Sequence, residues 1–288
     1  MTWRIDAHQH FWLFDPRRDS WITGEMAALK RDFLPHDLFP LLKHSGLDGS
    51  VAVQTDQSEL ETLFLLELAS RHEEIKGVVG WVDLCCPDVS ERLQYFRQFG
   101  KLCGFRHIVQ SEPDDRFLLR ADFCRGIQAL GEYDFAYDIL IYPRQLPAAL
   151  ELVAAFPHQK FVIDHMAKPL IRAHELEPWS RHMRQLAQSR NVYCKVSGLL
   201  TEANWHQWQA SDFVPYLDVV FDAFGANRLL LGSDWPVCLL SGSYQDTHSI
   251  IENYARQLSV AERNAIFGLN AIQFYGLTVP HHEPAANK

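Results

Sequence analysis

Trp3-Arg4-Ile5-Asp6-Ala7-His8-Gln9-His10-Phe11 is a short apolar run that leads into two histidines separated by one residue. In a strand, side chains alternate between faces, so His8 and His10 are expected on one face, near enough to share a metal ion or a substrate. Neutral imidazole is a common metal ligand and also moves protons near neutral pH. The plain alternative is an incidental histidine pair near a chain end. What the pair does therefore depends on what the rest of the chain brings to it.

Outward from this stretch, apolar strand-like runs alternate with amphipathic helix-like runs. After the first strand, strands are expected at 49–54, 75–84, 102–110, 136–142, 160–166, 192–197 and 228–232. Helices are expected at 37–45, 58–72, 88–99, 121–130, 146–156, 179–188, 213–224, 245–258 and 260–274. Ser58 reads as a helix N-cap, and Gly46, Gly131 and Gly225 read as helix stops. Residues 12–35 form a long aromatic-rich loop with Trp12, Phe14 and Trp21, a length that suggests a loop covering a site. Continuous apolar strands, each followed by a helix, predict a single-domain (β/α)8 TIM barrel in the α/β class. The competing doubly wound sheet usually carries a glycine-rich phosphate loop after its first strand, and this chain has none. Residues 1–277 are expected to form one domain, and the polar residues 278–288 a disordered tail.

Bulk properties narrow the function classes. With 288 residues and 47% hydrophobic content, the chain can bury a large core. Its net charge of -9 argues against nucleic acid or an anionic membrane as the main partner. No run of about 18 apolar residues is present, so no transmembrane helix is expected. No basic segment followed by an apolar one opens the chain, so a cytoplasmic location is expected. The six cysteines include no Cys-x-x-Cys pair, which disfavours a cysteine-based zinc site or a disulfide framework. A homodimer is compatible with the aromatic content but is not readable from it.

Barrel active sites lie at the C-terminal ends of the strands. Those ends supply His8 and His10 from the first strand, Arg106 and His107 from the fourth, Asp164 and His165 from the sixth, and Asp234 and Trp235 from the eighth. Asp138 falls inside the fifth strand and Lys195 inside the seventh. Each has a dull reading alone: Arg106 a surface ion-pair partner, His165 a satisfied core histidine, Asp234 a cap of the following loop. Their convergence on one mouth is what favours chemistry. Three imidazoles and a carboxylate suffice for a metal site or a general-base site.

Several motifs together resemble the amidohydrolase superfamily, and within it the lactonase-like group that includes fuconolactone, rhamnonolactone, sulfomuconolactone and pyrone-dicarboxylate hydrolases. They are Asp6-Ala7-His8-Gln9-His10-Phe11-Trp12, Gly104-Phe105-Arg106-His107, Ile163-Asp164-His165-Met166-Ala167-Lys168-Pro169, Cys194-Lys195-Val196-Ser197-Gly198-Leu199 and Gly232-Ser233-Asp234-Trp235-Pro236, followed by Phe267-Gly268-Leu269-Asn270-Ala271. The resemblance implies a hydrolase of a cyclic ester. It places His8, His10 and His165 around the reacting carbonyl, with Asp234 as the base that activates water. The same four residues are the candidate ligands of one divalent ion, with zinc the expected metal and a metal-independent reaction the alternative. Arg106 and His107 resemble the group's substrate-orienting pair.

The chain departs from the two-metal members of the superfamily. Its fourth strand offers Arg106-His107 where those members carry a bridging Lys or Glu, and its fifth offers Asp138 and Tyr142 in place of a histidine. Tyr142, Lys195, Trp12 and Trp235 complete the expected substrate contacts, with Trp12, Trp21 and Trp235 as aromatic faces for a sugar ring. Arg144 is a candidate second arginine for an acidic substrate. The expected substrate is an aldonolactone such as L-fuconolactone or L-rhamnonolactone. The alternatives are a muconolactone or pyrone-dicarboxylate type, decarboxylation of an aromatic acid, and a non-catalytic binding barrel.

Overall fold

The computed structural model describes residues 2–280. Eight strands form one sheet in the order of the chain: β1 (Ile5–Gln9), β2 (Gly49–Val53), β3 (Ile75–Gly80), β4 (Leu102–His107), β5 (Ala136–Ile139), β6 (Phe161–Ile163), β7 (Val192–Val196) and β8 (Leu229–Leu231). Every neighbouring pair from β1 to β8 is parallel. The seam between the first and last strands is closed by Asp234 N–H donating to the His8 carbonyl at 2.9 Å and His10 N–H donating to the Trp235 carbonyl at 2.7 Å. Helices lie in the connections, and the result is the expected (β/α)8 barrel.

Two apolar clusters hold it together. The larger one packs the helices onto the outer face of the sheet, through side chains such as Phe96, Phe105, Phe123, Leu152 and Trp179. A smaller one, with Ile5, Val51, Val79, Val162 and Leu230, lines the bore and is plugged by Phe274 and Tyr275 of the C-terminal helix Asn270–Tyr275. Burying one such side chain stabilises by roughly 1.5–3 kcal/mol, so these layers supply the stiffness on which a polar site can be mounted.

The observed strands end sooner than their apolar runs suggest. Beyond β6 the residues Asp164–Ala167 stay buried but leave the ladder, whereas beyond β3, β4 and β5 buried residues are mixed with more exposed ones. The strand expected to reach 166 stops at Ile163, and Asp164–Ala167 forms a single tight turn. The helix expected over 121–130 runs to Glu132, through Gly131, and ends only at Tyr133. The last expected helix is continuous but contains a π segment over Ala265–Leu269. A short helix, Leu199–Glu202, follows β7 where none was expected.

Ser58 caps its helix as expected, its hydroxyl accepting from Glu61 N–H at 3.2 Å. The long loop after β1 is tied down by Trp12 and Phe33, whose backbones exchange hydrogen bonds of 3.0 and 2.9 Å. Of the polar tail, residues 278–280 are described, and the Pro280 carbonyl accepts from the Trp3 indole at 2.9 Å. Residues 281–288 lie outside the described residues. Among the described residues, no helix is long and apolar enough to cross a membrane.

Candidate active site

Four titratable side chains meet at the top of the barrel, from both ends of the chain. His8 Nε2 and His10 Nε2 are 3.2 Å apart. The Asp234 Oδ1 atom lies 3.3 Å from His10 Nε2, 3.9 Å from His8 Nε2 and 3.7 Å from His165 Nε2. All four residues are buried, yet His10, His165 and Asp234 reach the floor of an open cavity of about 190 Å³. The sequence reading brought these four together, and the fold does so too.

The backbone that presents them is unusual. His165, Met166, Ala167 and Lys168 have φ of 51, 52, 55 and 50°, four consecutive non-glycine residues in the left-handed region. Such residues cost on the order of 1 kcal/mol each and cluster at functional sites. The turn throws the His165 ring inward, against Gly198, which itself has φ +65. A Cβ at Gly198 would stand 2.8 Å from the His165 ring, so only glycine admits the ring there. Asp234 also has a positive φ, 56°, directly after Ser233, whose hydroxyl and N–H both donate to the buried Asp6 carboxylate at 2.6 and 2.9 Å. Asp6 thus ties the β1 motif to the β8 motif. Burial raises its carboxyl to about 6 despite those donors.

Hydrogen bonds fix the imidazoles. His10 Nδ1 lies 2.7 Å from the Val53 carbonyl, which can only accept, so the proton sits on Nδ1 and the Nε2 lone pair faces the site. His8 lies between two groups that can only donate, an Arg106 guanidinium nitrogen 3.3 Å from Nε2 and the Lys195 ammonium 3.1 Å from Nδ1. His8 Nδ1 also sits 3.4 Å from the Asp164 carboxylate. His165 Nδ1 is held by the Ser197 hydroxyl at 2.9 Å.

Beneath the imidazoles lies a fully buried ionic layer. Lys195 Nζ contacts Asp138 at 2.5 Å, Asp164 at 2.9 Å and His8 Nδ1 at 3.1 Å. Arg106 donates to Asp164 at 3.0 Å and to the Gln54 side chain at 3.0 Å, and it also reaches the Gln54 carbonyl. The Tyr275 hydroxyl donates to Asp138 at 2.8 Å from below. Buried charges are tolerated only when paired and hydrogen-bonded in this way. Burial opposes ionisation of Asp164, but Lys195, His8 and Arg106 outweigh it and hold its carboxyl well below the usual range.

The same balance sets the upper layer. Burial lowers His165 to about 4 and, with the neighbouring Lys195 charge, drives His8 well below its ordinary value. Both rings are therefore neutral at pH 7. Burial alone would raise the Asp234 carboxyl, yet the charge that His165 gains at acid pH opposes this, and the carboxyl lies well below the usual carboxylate range. Asp234 is an anion throughout the physiological range.

His8 Nε2, His10 Nε2 and Asp234 Oδ1 thus converge across 3.2–3.9 Å. Two imidazole nitrogens and a carboxylate oxygen gathered this closely are a donor set that zinc accepts. Zinc bonds of about 2.0 Å in a tetrahedral set separate the ligand atoms by about 3.3 Å, which two of the three spacings here match. His8, His10 and Asp234 therefore fit a divalent metal, and His8, Asp164 and His165 form an adjoining cluster with ligand atoms within 4.8 Å of one another.

Other expected contacts fall elsewhere. Trp235 is 1% exposed, packed edge-on against Phe11 and Phe33, and presents no face to a ligand. Trp12 is 2% exposed and donates to the Arg31 carbonyl beneath the covering loop. Trp21, 41% exposed, is the loop aromatic that lines the cavity. His107 alternates away from Arg106, stacking on Phe117 and contacting Glu112 at 2.8 Å. Lys195 lies too deep to touch a substrate, and Arg144 is paired with Asp115 at 2.6 Å outside the cavity. Tyr142 stands behind Lys168, which does line the cavity, with the ammonium 5.5 Å from its ring. Gln54, Ser197 and Lys168 were not singled out from sequence; Gln54 and Ser197 directly follow β2 and β7, where barrel sites are built.

Comparison with known proteins agrees with this geometry. The amidohydrolase family model matches residues 5–277. An L-fucono-1,5-lactonase of Burkholderia multivorans is 43% identical, with 96% of this chain and 97% of that protein covered. An L-fucono-1,5-lactonase of Burkholderia ambifaria is 40% identical, covering 97% and 98%. A crystal structure of an amidohydrolase from Burkholderia multivorans with bound zinc superposes with a TM-score of 0.92 at 43% identity, over 96% of this chain and 100% of that one. The chain belongs to the amidohydrolase family.

Proposed function

We propose that this protein hydrolyses a small lactone, and that its substrate is a neutral sugar aldonolactone such as L-fuconolactone or L-rhamnonolactone. The observation that carries the reading is the ionised Asp234 carboxylate, ringed by three imidazoles at the floor of a cavity. The two full-length L-fucono-1,5-lactonase relatives support the choice of ester.

Asp234, with His8, His10 and His165 around it, would hold one zinc ion. When bound, such an ion polarises a carbonyl and lowers the pKa of water. The chain's own residues do the rest. Asp234 accepts a proton from the attacking water on its carboxylate as the new C–O bond forms at the lactone carbonyl. Neutral His165 stands beside this oxygen and stays neutral because burial keeps it so. Arg106, held by Gln54 and Asp164, places a fixed positive charge at the cavity wall where the carbonyl oxygen gains charge. When the ring C–O bond breaks, Asp234 returns its proton to the departing ring oxygen. The product is an open-chain hydroxy acid, which ionises and releases one proton to solvent.

A panel of aldonolactones and muconolactones, followed by proton release at pH 7–8 against a blank, tests the reading. Turnover of aldonolactones is expected. Carbon dioxide release from aromatic acids without lactone turnover would replace it by decarboxylation.

A further inference from the structure

Lys168 is the one residue of the left-handed turn that reaches the cavity with a charge. Its backbone N–H donates to the His165 carbonyl at 2.8 Å, and its side chain lines the cavity together with Arg106, His165 and Asp234. The ammonium lies 3.6 Å from the Glu202 carboxylate and 5.5 Å from the Tyr142 ring centroid. Both partners of this pair are mostly shielded, with side-chain exposures of 17% and 19%. Glu202 sits on the short helix after β7, which starts at Gly198, so the strands that carry His165 and Ser197 also set this ion pair.

Each cation of the cavity lining has a carboxylate beside it. The Arg106 guanidinium donates to Asp164 and Gln54, and the Lys168 ammonium is ion-paired with Glu202 at 3.6 Å. A ligand with extra carboxylates finds no unmatched cation here. A neutral polyol finds the Lys168 ammonium at the cavity wall, with Glu202 behind it at 3.6 Å. A hydroxyl oxygen accepts from such a donor without bringing a charge of its own. Opposite, Ile108, Leu140 and Val237 give the cavity an apolar wall.

Resting on the lactonase reading above, we infer that the Lys168–Glu202 pair is the specificity element of this site. Lys168 donates to the hydroxyl groups on the part of the lactone ring remote from the carbonyl, and Glu202 positions the ammonium and offsets its charge. The pair selects polyhydroxylated neutral lactones over unsubstituted or acidic ones. Lys168 is a binding residue, Glu202 a positioning residue, and neither takes part in proton transfer.

The test compares wild type, Lys168→Met and Glu202→Gln on an aldonolactone, on unsubstituted δ-valerolactone and on a muconolactone, with thermal melting as the folding control. Lys168→Met is expected to raise KM for the aldonolactone at least tenfold and to change kcat less than threefold. Its loss in kcat/KM should be at least tenfold larger on the aldonolactone than on δ-valerolactone. Glu202→Gln leaves the ammonium unmatched and should shift the kcat/KM ratio of muconolactone to aldonolactone upward at least fivefold. Equal losses on aldonolactone and δ-valerolactone overturn the inference, because Lys168 then acts only through the His165 turn. An unshifted ratio in Glu202→Gln overturns it independently. A wild type that turns over neither kind of lactone overturns the parent reading, and this inference with it.

Discussion

His10 Nε2 and Asp234 Oδ1 stand 3.3 Å apart although 224 residues separate them, because β1 and the residues after β8 form the closing seam of the barrel. The contact joins an acceptor nitrogen to a carboxylate in a buried place. Its chemistry and its cost both follow from that.

Replacing Asp234 by Asn removes the base and keeps the shape. Asn tolerates a positive φ such as the 56° at this position. A general base contributes typically 100- to 10,000-fold, so kcat should fall by at least about 100-fold, with the melting temperature of the metal-free protein nearly unchanged. Steady-state kinetics beside a melting curve check this, and an active Asn variant would sink the assignment.

Metal removal is the second test. Chelation should abolish or strongly depress turnover, and zinc add-back should restore it. Because a metal that binds only the folded state stabilises it by about 4 kcal/mol at 1,000 times its Kd, melting should rise with zinc in wild type. His10→Asn should flatten that rise. Full activity in metal-free protein would refute the zinc role.

His165 links stability to pH in the metal-free protein. Its folded value, about 4, lies below the ordinary 6.5, so between those values the unfolded chain holds more protons than the folded one. Its contribution is complete above pH 6.5 and is lost as the pH falls toward 4. The shift corresponds to stability on the order of 3 kcal/mol. Urea titrations at pH 7 and pH 4.5 should show a smaller loss for His165→Asn than for wild type.

Lys195→Met should unfold the barrel before it alters the substrate cavity. Removing the ammonium leaves Asp138 and Asp164 buried with an uncompensated charge, and breaking a buried pair costs about 3–5 kcal/mol. Denaturant midpoints read this directly. Asp138→Asn combined with Lys195→Met should recover part of the loss, since the double variant removes one charge of each sign.

Gly198→Ala drives a methyl group to 2.8 Å from the His165 ring at a φ of +65. The expected destabilisation is about 1–3 kcal/mol. The displaced His165 should lower kcat as well. A variant with wild-type kinetics would show that the ring position has slack.

Much of the fold was legible because a parallel barrel writes itself locally. Strands buried on both faces must be apolar throughout, so 49–53 and 229–231 are recognisable without partners. Strand ends were less legible. The residues of 164–167 are as buried as the strand before them, and the left-handed turn that redirects them obeys a tertiary demand that no glycine announces. The cluster of His8, His10, His165 and Asp234 could be assembled on paper because each ends or follows a strand. The substrate wall could not. Trp12 and Trp235 pack into the core, Trp21 lies in the cavity, and the three are alike in sequence.

By itself, the sequence determined the barrel and the four residues that meet at its mouth, since hydrophobic periodicity and side-chain type are local properties. The tertiary structure alone decided what surrounds them. Lys195 became a buried counter-ion rather than a substrate contact, His107 turned outward, and Lys168 met Glu202 beside the cavity. Which charge finds which partner, and which ring is left facing a cavity, depends on distances between segments far apart in the chain, and only closure of the barrel sets those distances.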